Sequence, residues 1–148
     1  MTTAVIGISF RTAPIDLREQ AAFRSDDVPA ALQRIRAAFP GAELVLVSTC
    51  NRTELYTAGI DVDANKGRLI GLVLKEPAGM PLSDAEPHFY VKRDIEAVEH
   101  LFAVASSLDA MVVGETEILG QVKRALLLAE EAQTTGKVLQ PLFQRAFK

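Results

Sequence analysis

The sequence predicts an α+β fold: a ferredoxin-like β-α-β-β-α-β sheet followed by additional C-terminal helices. Three observations carry that expectation. Short apolar runs recur at 4–10 (AVIGISF), 43–47 (ELVLV), 53–58 (TELYTA) and 88–92 (HFYVK), and runs of this length and composition read as strands. Helical periodicity separates the first strand from the second and the third from the fourth, whereas little more than TCNR separates the second from the third. That order is the split β-α-β of a ferredoxin-like sheet.

The elements follow in turn. The first strand, 4–10, is β-branched and gives way to RTAPIDLREQ, where Pro14 breaks regular structure. Ser25 or Asp26 can cap a helix whose first turn tolerates Pro29. Val28, Leu32, Ile35 and Phe39 recur at helical spacing until Pro40-Gly41 stops them. The strands 43–47 and 53–58 are close enough for an antiparallel hairpin or a sharply bent connection. Residues 62–75 read as a helix weakened by Gly67 and Gly71, and the Pro/Gly-rich stretch 76–87 reads as a loop. His88 opens the fourth strand and reads as a strand-end residue.

Beyond the fourth strand the pattern is helical. A helix over 94–106 aligns Ile95, Val98, Leu101, Phe102 and Ala105 on one face. A longer one over 118–134 aligns Ile118, Val122, Ala125 and Ala129, with Gly136 suited to cap it. Residues 139–147 form a last short amphipathic helix. The chain stops there without an evident tail, which points to a domain cut from a longer protein.

The 148 residues suit one domain, and 49% apolar with 24% charged is ordinary for a core-forming globular protein. A formal net charge of −3 argues against a strongly basic nucleic-acid face and leaves a local basic pocket open. The single cysteine cannot form an intramolecular disulfide. The N-terminus lacks the basic and apolar regions of a signal peptide. No apolar run approaches the roughly 18 residues of a membrane span. A soluble, cytoplasmic protein is expected. There is no G-x-G-x-x-G, no P-loop, no Cys/His cluster for a metal and no aromatic-basic RNA pattern, so the residues themselves offer no cofactor or metal site.

The chemistry concentrates in STCNRTELY, 48–56. Cys50 follows an apolar strand and is at once surrounded by polar groups, with Arg52 two residues on. A nearby cation favours thiolate, the nucleophilic form, and a thiolate can hold an acyl group as a thioester. The competing reading is a small buried core residue. Arg52 has the geometry for a bidentate carboxylate clamp, or for a surface ion pair with Glu54. His100 points away from the apolar face of its helix, which suits either a solvated or a functional histidine. Glu115 and Glu117 stand at the start of a helix, where carboxylates complement the dipole or bind a substrate ammonium. Gln121 lies at the edge of the apolar stripe.

These stretches resemble the N-terminal catalytic domain of the glutamyl-tRNA reductases. GISFRTAPIDLRE is similar to the family's opening strand and loop, STCNRTELY to its nucleophile motif, EHLFAVASSLDAMVVGETEILGQVK to its helical signature and LFQRAF to the segment leading out of the domain. The resemblance implies that Cys50 attacks the aminoacyl ester of glutamyl-tRNA to form a thioester. NADPH then reduces the thioester to glutamate-1-semialdehyde for tetrapyrrole, porphyrin and heme synthesis. It implies that Thr49, Asn51 and Arg52 line the glutamate site, that Glu115, Thr116, Glu117 and Gln121 form a second binding stretch, and that His100 is important for activity. It also implies that the family's NADPH-binding and dimerisation domains lie outside residues 1–148. NADPH binding and the homodimer then belong to the full-length enzyme, as does channelling to the aminomutase that follows in the pathway; no metal and no membrane contact is implied.

The pattern departs from the family at Phe10 (usually His), Ser107 (usually Gly), Ala110 (usually Ser) and Glu117 (commonly Gln). Two other readings stand beside this one. One is a different cysteine acyl-transfer or hydrolytic enzyme using Cys50 and His100. The other is a non-catalytic module that binds charged tRNA or a protein partner.

Overall fold

A computed structural model describes residues 2–74, 82–109 and 117–148. Four strands, β1 (Thr3–Ser9), β2 (Glu43–Ser48), β3 (Arg52–Ala58) and β4 (Tyr90–Arg93), form one sheet. Their order is β2-β3-β1-β4, and every neighbouring pair is antiparallel. Helix α2 (Val28–Ala38) connects β1 to β2, and α3 (Lys66–Val73) lies between β3 and β4. Two short helices, α1 (Ile15–Ala21) and α4 (Leu82–Ala85), sit in the connections, and α5 (Ile95–Ala105), α6 (Glu117–Glu131) and α7 (Leu139–Ala146) follow the sheet. The topology is the expected ferredoxin-like one with C-terminal helices added.

Strand alternation divides the sheet. The register pairs Gly7 with Glu54 and Tyr90, and Val5 with Tyr56 and Lys92, so these side chains share a face. Helices α5 and α7 reach that face: Phe143 meets Tyr56 edge-on at 5.2 Å, and His100 meets Glu54. Ile6, Ile8, Leu46 and Leu55 are buried on the other face. β1 and β3 are buried along almost their whole length, as strands covered on both sides must be.

The segment after α6 covers the outer edge of β2. The Leu44 amide donates to the Thr134 carbonyl at 2.7 Å, and Thr134 Oγ1 donates to the Leu44 carbonyl at 2.9 Å. An edge closed in this way offers no ladder to a second chain. Glu43 accepts from the amides of Val138 (3.1 Å) and Leu139 (2.8 Å), satisfying donors at the start of α7.

Several local expectations are corrected. Pro14 ends the strand but also stands as the N-cap of α1, because its fixed φ suits a helix start. Neither Ser25 nor Asp26 caps α2: Ser25–Asp27 form a 3-10 turn, and no side-chain cap bond is made. The helix expected over 62–75 is shorter, as α3. Within 76–87, residues 82–85 are helical and 86 onward a 3-10 turn, with 75–81 outside the described residues. His88 belongs to that turn, its Nδ1 2.9 Å from the Thr12 carbonyl, and β4 begins at Tyr90. Gln133, with φ +60°, terminates α6 in place of Gly136. The Thr134 amide returns to the Ala129 carbonyl at 3.0 Å, the wide bond of a Schellman-type end.

Helix α5 carries the largest correction. Its buried residues are Ala97, Leu101, Val104 and Ala105, with His100 beside them, whereas Ile95 and Phe102 are exposed. The helix is turned so that a polar residue faces the sheet.

Gly7 makes this possible. A Cβ there would lie 2.5 Å from the Thr53 carbonyl oxygen and 2.9 Å from Glu54 Cα, both in the neighbouring backbone. Gly7→Ala is therefore expected to lower stability by about 3 kcal/mol, the upper part of the overpacking range. A urea midpoint equal to the parent's would contradict this close approach.

Candidate active site

The β2–β3 hairpin presents the cysteine. The Thr49 amide donates to the Arg52 carbonyl at 2.8 Å, leaving Cys50 and Asn51 at the tip. The Asn51 amide donates to Thr49 Oγ1 at 3.1 Å, and the Phe10 amide donates to the Asn51 carbonyl at 2.8 Å. The tip is thus tied both to itself and to the residue after β1. Cys50 is exposed, which removes the reading of a buried structural cysteine.

The cation nearest the tip is Arg18 of α1. Its Nη1 lies 3.5 Å from the Cys50 carbonyl oxygen and 3.5 Å from Asn51 Oδ1. Its Nε is buried and has no hydrogen-bond partner among the described residues. Nothing local in RTAPIDLREQ singles Arg18 out; only the fold brings α1 to the hairpin.

Arg52 turns inward instead. It is 2% exposed, and its Nη1 is 3.2 Å from both Glu54 Oε2 and Asp109 Oδ2, while Nη2 donates to the Asp109 carbonyl. The pair with Glu54 is real, but it is buried and not a surface contact. Glu54 is fully buried and also accepts from Tyr56 Oη at 3.0 Å, from Tyr90 Oη and from His100 Nε2. Burial pushes the Glu54 carboxyl up, but His100, Arg52 and Tyr90 more than reverse this and hold it below its ordinary value. Burial and the adjacent Glu54 charge push Tyr56 and Tyr90 up, so both stay protonated as donors. For Arg52, burial opposes the charge, and Glu54, Tyr90 and Asp109 outweigh it. An ionised Glu54 fixes Nε2–H on His100 and leaves Nδ1 as the nitrogen free of that bond.

The sequence signal for this cluster was the alternation Arg52, Glu54, Tyr56, which puts three polar groups on one face of a buried strand. Asp109 and Tyr90 join through tertiary contacts alone. Ser107 stands at φ +68°, the left-handed region glycine suits, which is a physical reason for glycine at this position. Glu115, Thr116 and Ala110 lie outside the described residues.

A cavity flanks the hairpin end on each face. One, of about 200 Å³, is lined by Ser9, Arg11, Tyr90, Lys92, His100 and Asp109. The other, of about 410 Å³, has Val28, Leu46 and Leu128 in its walls and Ser48, Glu117 and Gln121 among its polar lining. Thr49, Asn51 and Cys50 therefore cluster at the tip, Arg52 and His100 meet through Glu54, and Glu117 and Gln121 stand across a groove from β2.

Residues 6–148 match the family described as Glutamyl-tRNAGlu reductase, N-terminal domain. The chain belongs to that family. Glutamyl-tRNA reductases of Shouchella clausii and Syntrophotalea carbinolica are 42% and 45% identical to it over 99% of its length. Glutamyl-tRNA reductase from Methanopyrus kandleri has a similar solved structure, with a TM-score of 0.77 at 35% identity over 98% of the chain. The chain spans 32%, 33% and 32% of these three proteins respectively, about a third of each. Among its described residues, no helix is long and apolar enough to cross a membrane.

The buried carboxylate of this reductase-family domain sets an acid limit. Glu54 is held below its ordinary 4.5, so it contributes stability that is present above that pH and lost as pH falls through the folded value. Glu54→Gln is expected to cost about 3 kcal/mol at neutral pH, by leaving a buried cation short of a partner. It should also flatten the acid side of the stability profile. Thermal melts of both proteins from about pH 6 downward test this; parallel profiles would remove Glu54 as the acid-sensitive group.

Proposed function

We propose that this chain is the glutamyl-accepting catalytic domain of a glutamyl-tRNA reductase. The observation that carries the reading is the exposed Cys50 at a braced hairpin tip with a cavity on either side. Cys50 Sγ attacks the carbonyl carbon of the ester between glutamate and the terminal ribose. The C–S bond forms, the C–O bond to ribose breaks, and the tRNA leaves with its hydroxyl restored. One proton leaves the thiol and one is taken up by the ribose oxygen, so the step needs no outside acid or base. His100, anchored to Glu54 through Nε2, is the group we assign to that exchange.

Thr49 and Asn51 brace the tip through their own hydrogen bonds, and Arg18 supplies a cation beside it. Arg52 as a partner for the glutamate carboxylate requires Asp109 to give way, because Asp109 already occupies that guanidinium. Glu117 and Gln121 serve the substrate from the groove wall, and Glu115 and Thr116 are carried over from the family motif. Ala110 lacks the hydroxyl usual there.

The family's NADPH reduction of the thioester to glutamate-1-semialdehyde is assigned to the remainder of a full-length enzyme. The described residues do not fit NADPH. Their sheet is wholly antiparallel, without the parallel strand–turn–helix that seats a dinucleotide pyrophosphate. Homodimerisation, hand-over to an aminomutase and a cytoplasmic location belong to the same full-length proposal.

The test is intact mass after incubation with glutamyl-tRNA without NADPH, quenched in mild acid. A glutamyl adduct is expected on the parent and none on Cys50→Ser. No adduct on the parent, with the tRNA left charged, overturns the reading. Arg18→Ala is expected to slow adduct formation about tenfold, the equivalent of one charge-assisted hydrogen bond. An unchanged rate would remove Arg18 from the site.

A further inference from the structure

The groove of about 410 Å³ beside β2 is large enough for a nucleoside-sized ligand. Val28, Leu46, Ala125 and Leu128 line it and are almost fully buried. Glu117, Gln121 and Arg124 of α6 line it as well, all of them exposed in the native chain. An apolar floor with an acceptor, an amide and a cation above it suits a purine: the ring stacks on apolar surface, and polar groups meet its edge and its phosphate.

Position limits which nucleoside this is. Ser48 belongs to the groove wall and stands two residues before Cys50. Its Oγ accepts from the Phe23 amide at 2.8 Å, fixing the groove wall to the strand that carries the nucleophile. Ser48 pairs with Thr53 on the Leu46 face of the sheet, whereas the smaller cavity with His100 and Tyr90 opens on the Glu54 face. The hairpin tip therefore separates a small, charged cavity from a larger, apolar-floored one. An ester joining glutamate to a ribose has the same asymmetry.

Resting on the acyl-transfer reading above, we propose that the Val28–Leu46–Leu128 groove binds the 3′-terminal adenosine of the charged tRNA. Glutamate lies on the opposite side of the Cys50 tip. Glu117 and Gln121 face the base edge, and Arg124 faces the adjoining phosphate. The binding is independent of tRNA identity, because every mature tRNA ends in the same nucleoside.

Gly120 also lines the groove, and a Cβ there meets nothing within 4 Å. Gly120→Leu therefore fills the groove without a clash, and leucine is the better helix former. The probe is an uncharged RNA hairpin ending in CCA, compared with the same hairpin lacking its last adenosine, by fluorescence anisotropy at fixed salt. Loss of the adenosine is expected to weaken binding to the parent at least tenfold and to make no difference to Gly120→Leu. Free adenosine 5′-monophosphate should compete only at far higher concentration, which separates the tRNA end from a free nucleotide as the ligand. Arg124→Ala should weaken both hairpins, the intact one more. The proposal is overturned if the parent binds both hairpins equally, or if a folded Gly120→Leu, judged by a thermal midpoint no lower than the parent's, binds the intact hairpin as the parent does. Because no charged tRNA is used, a failure here is distinct from absence of the Cys50 adduct.

Discussion

Glu54 lies in the middle of a buried strand with no exposed surface, and four side chains from β3, β4 and α5 converge on its carboxylate. A lone carboxylate in that position would be forced neutral by desolvation. Arg52, Tyr56, Tyr90 and His100 keep it ionised, and each is fixed in turn by its bond to the charge. This is a constraint on geometry more than a source of stability, since a buried ion pair seldom outweighs an apolar replacement of the same shape. What it supplies is position: Arg52 is locked beneath the hairpin tip, and His100 presents a defined nitrogen. Gly7 leaves the space the carboxylate needs.

The orientation of α5 follows from the same charge. On periodicity alone, Ile95, Val98 and Phe102 should pack inward and His100 should face out. The helix instead places His100 beside Ala97, Leu101 and Val104, and Ile95 is left 69% exposed. Burying Ile95 and Phe102 would gain about 1.5–3 kcal/mol each by area, but it would rotate His100 off the sheet. Leaving the full Glu54 charge short of a donor in a closed interior costs more than that gain. The small residues Ala97 and Ala105 let the helix lie close enough for the histidine to reach.

Much of this architecture was legible in the sequence. Runs such as AVIGISF and ELVLV have no helical reading of comparable quality, and the short TCNR spacer admits little except a hairpin. The C-terminal helices carried a clear period. Hidden features were those in which a long-range contact outweighs a local preference: α1 after Pro14, the Gln133 helix end held by Thr134 against β2, and the inverted face of α5. At the site, Cys50, Thr49 and Asn51 could be read from one motif because they are neighbours in the chain. Arg18 and Asp109 could not, since their approach to the hairpin is set by packing between elements far apart in sequence. Arg52 shows the limit most plainly. Its identity suggested a cation facing a ligand, whereas strand alternation sends it to the same side as Glu54.

That alternation also explains why the cysteine falls where it does. Residues up to Ser48 and from Arg52 onward are committed to one face of the sheet or the other by the ladder. Only the tip, Cys50 and Asn51, escapes this commitment and can be approached from both sides. A nucleophile that must act on a bond joining two chemically unlike groups gains from such a place. The charged portion can settle against the polar face, and the larger, flatter portion can lie over the apolar one. The reacting carbonyl is then held between them at the thiol. Positioning of this kind acts through entropy, because both halves are oriented before the bond is attacked. It needs a tip that does not sway. The Phe10 amide on Asn51, the Thr49 hydroxyl under the Asn51 amide and Arg18 beside the Cys50 carbonyl restrict it from three directions.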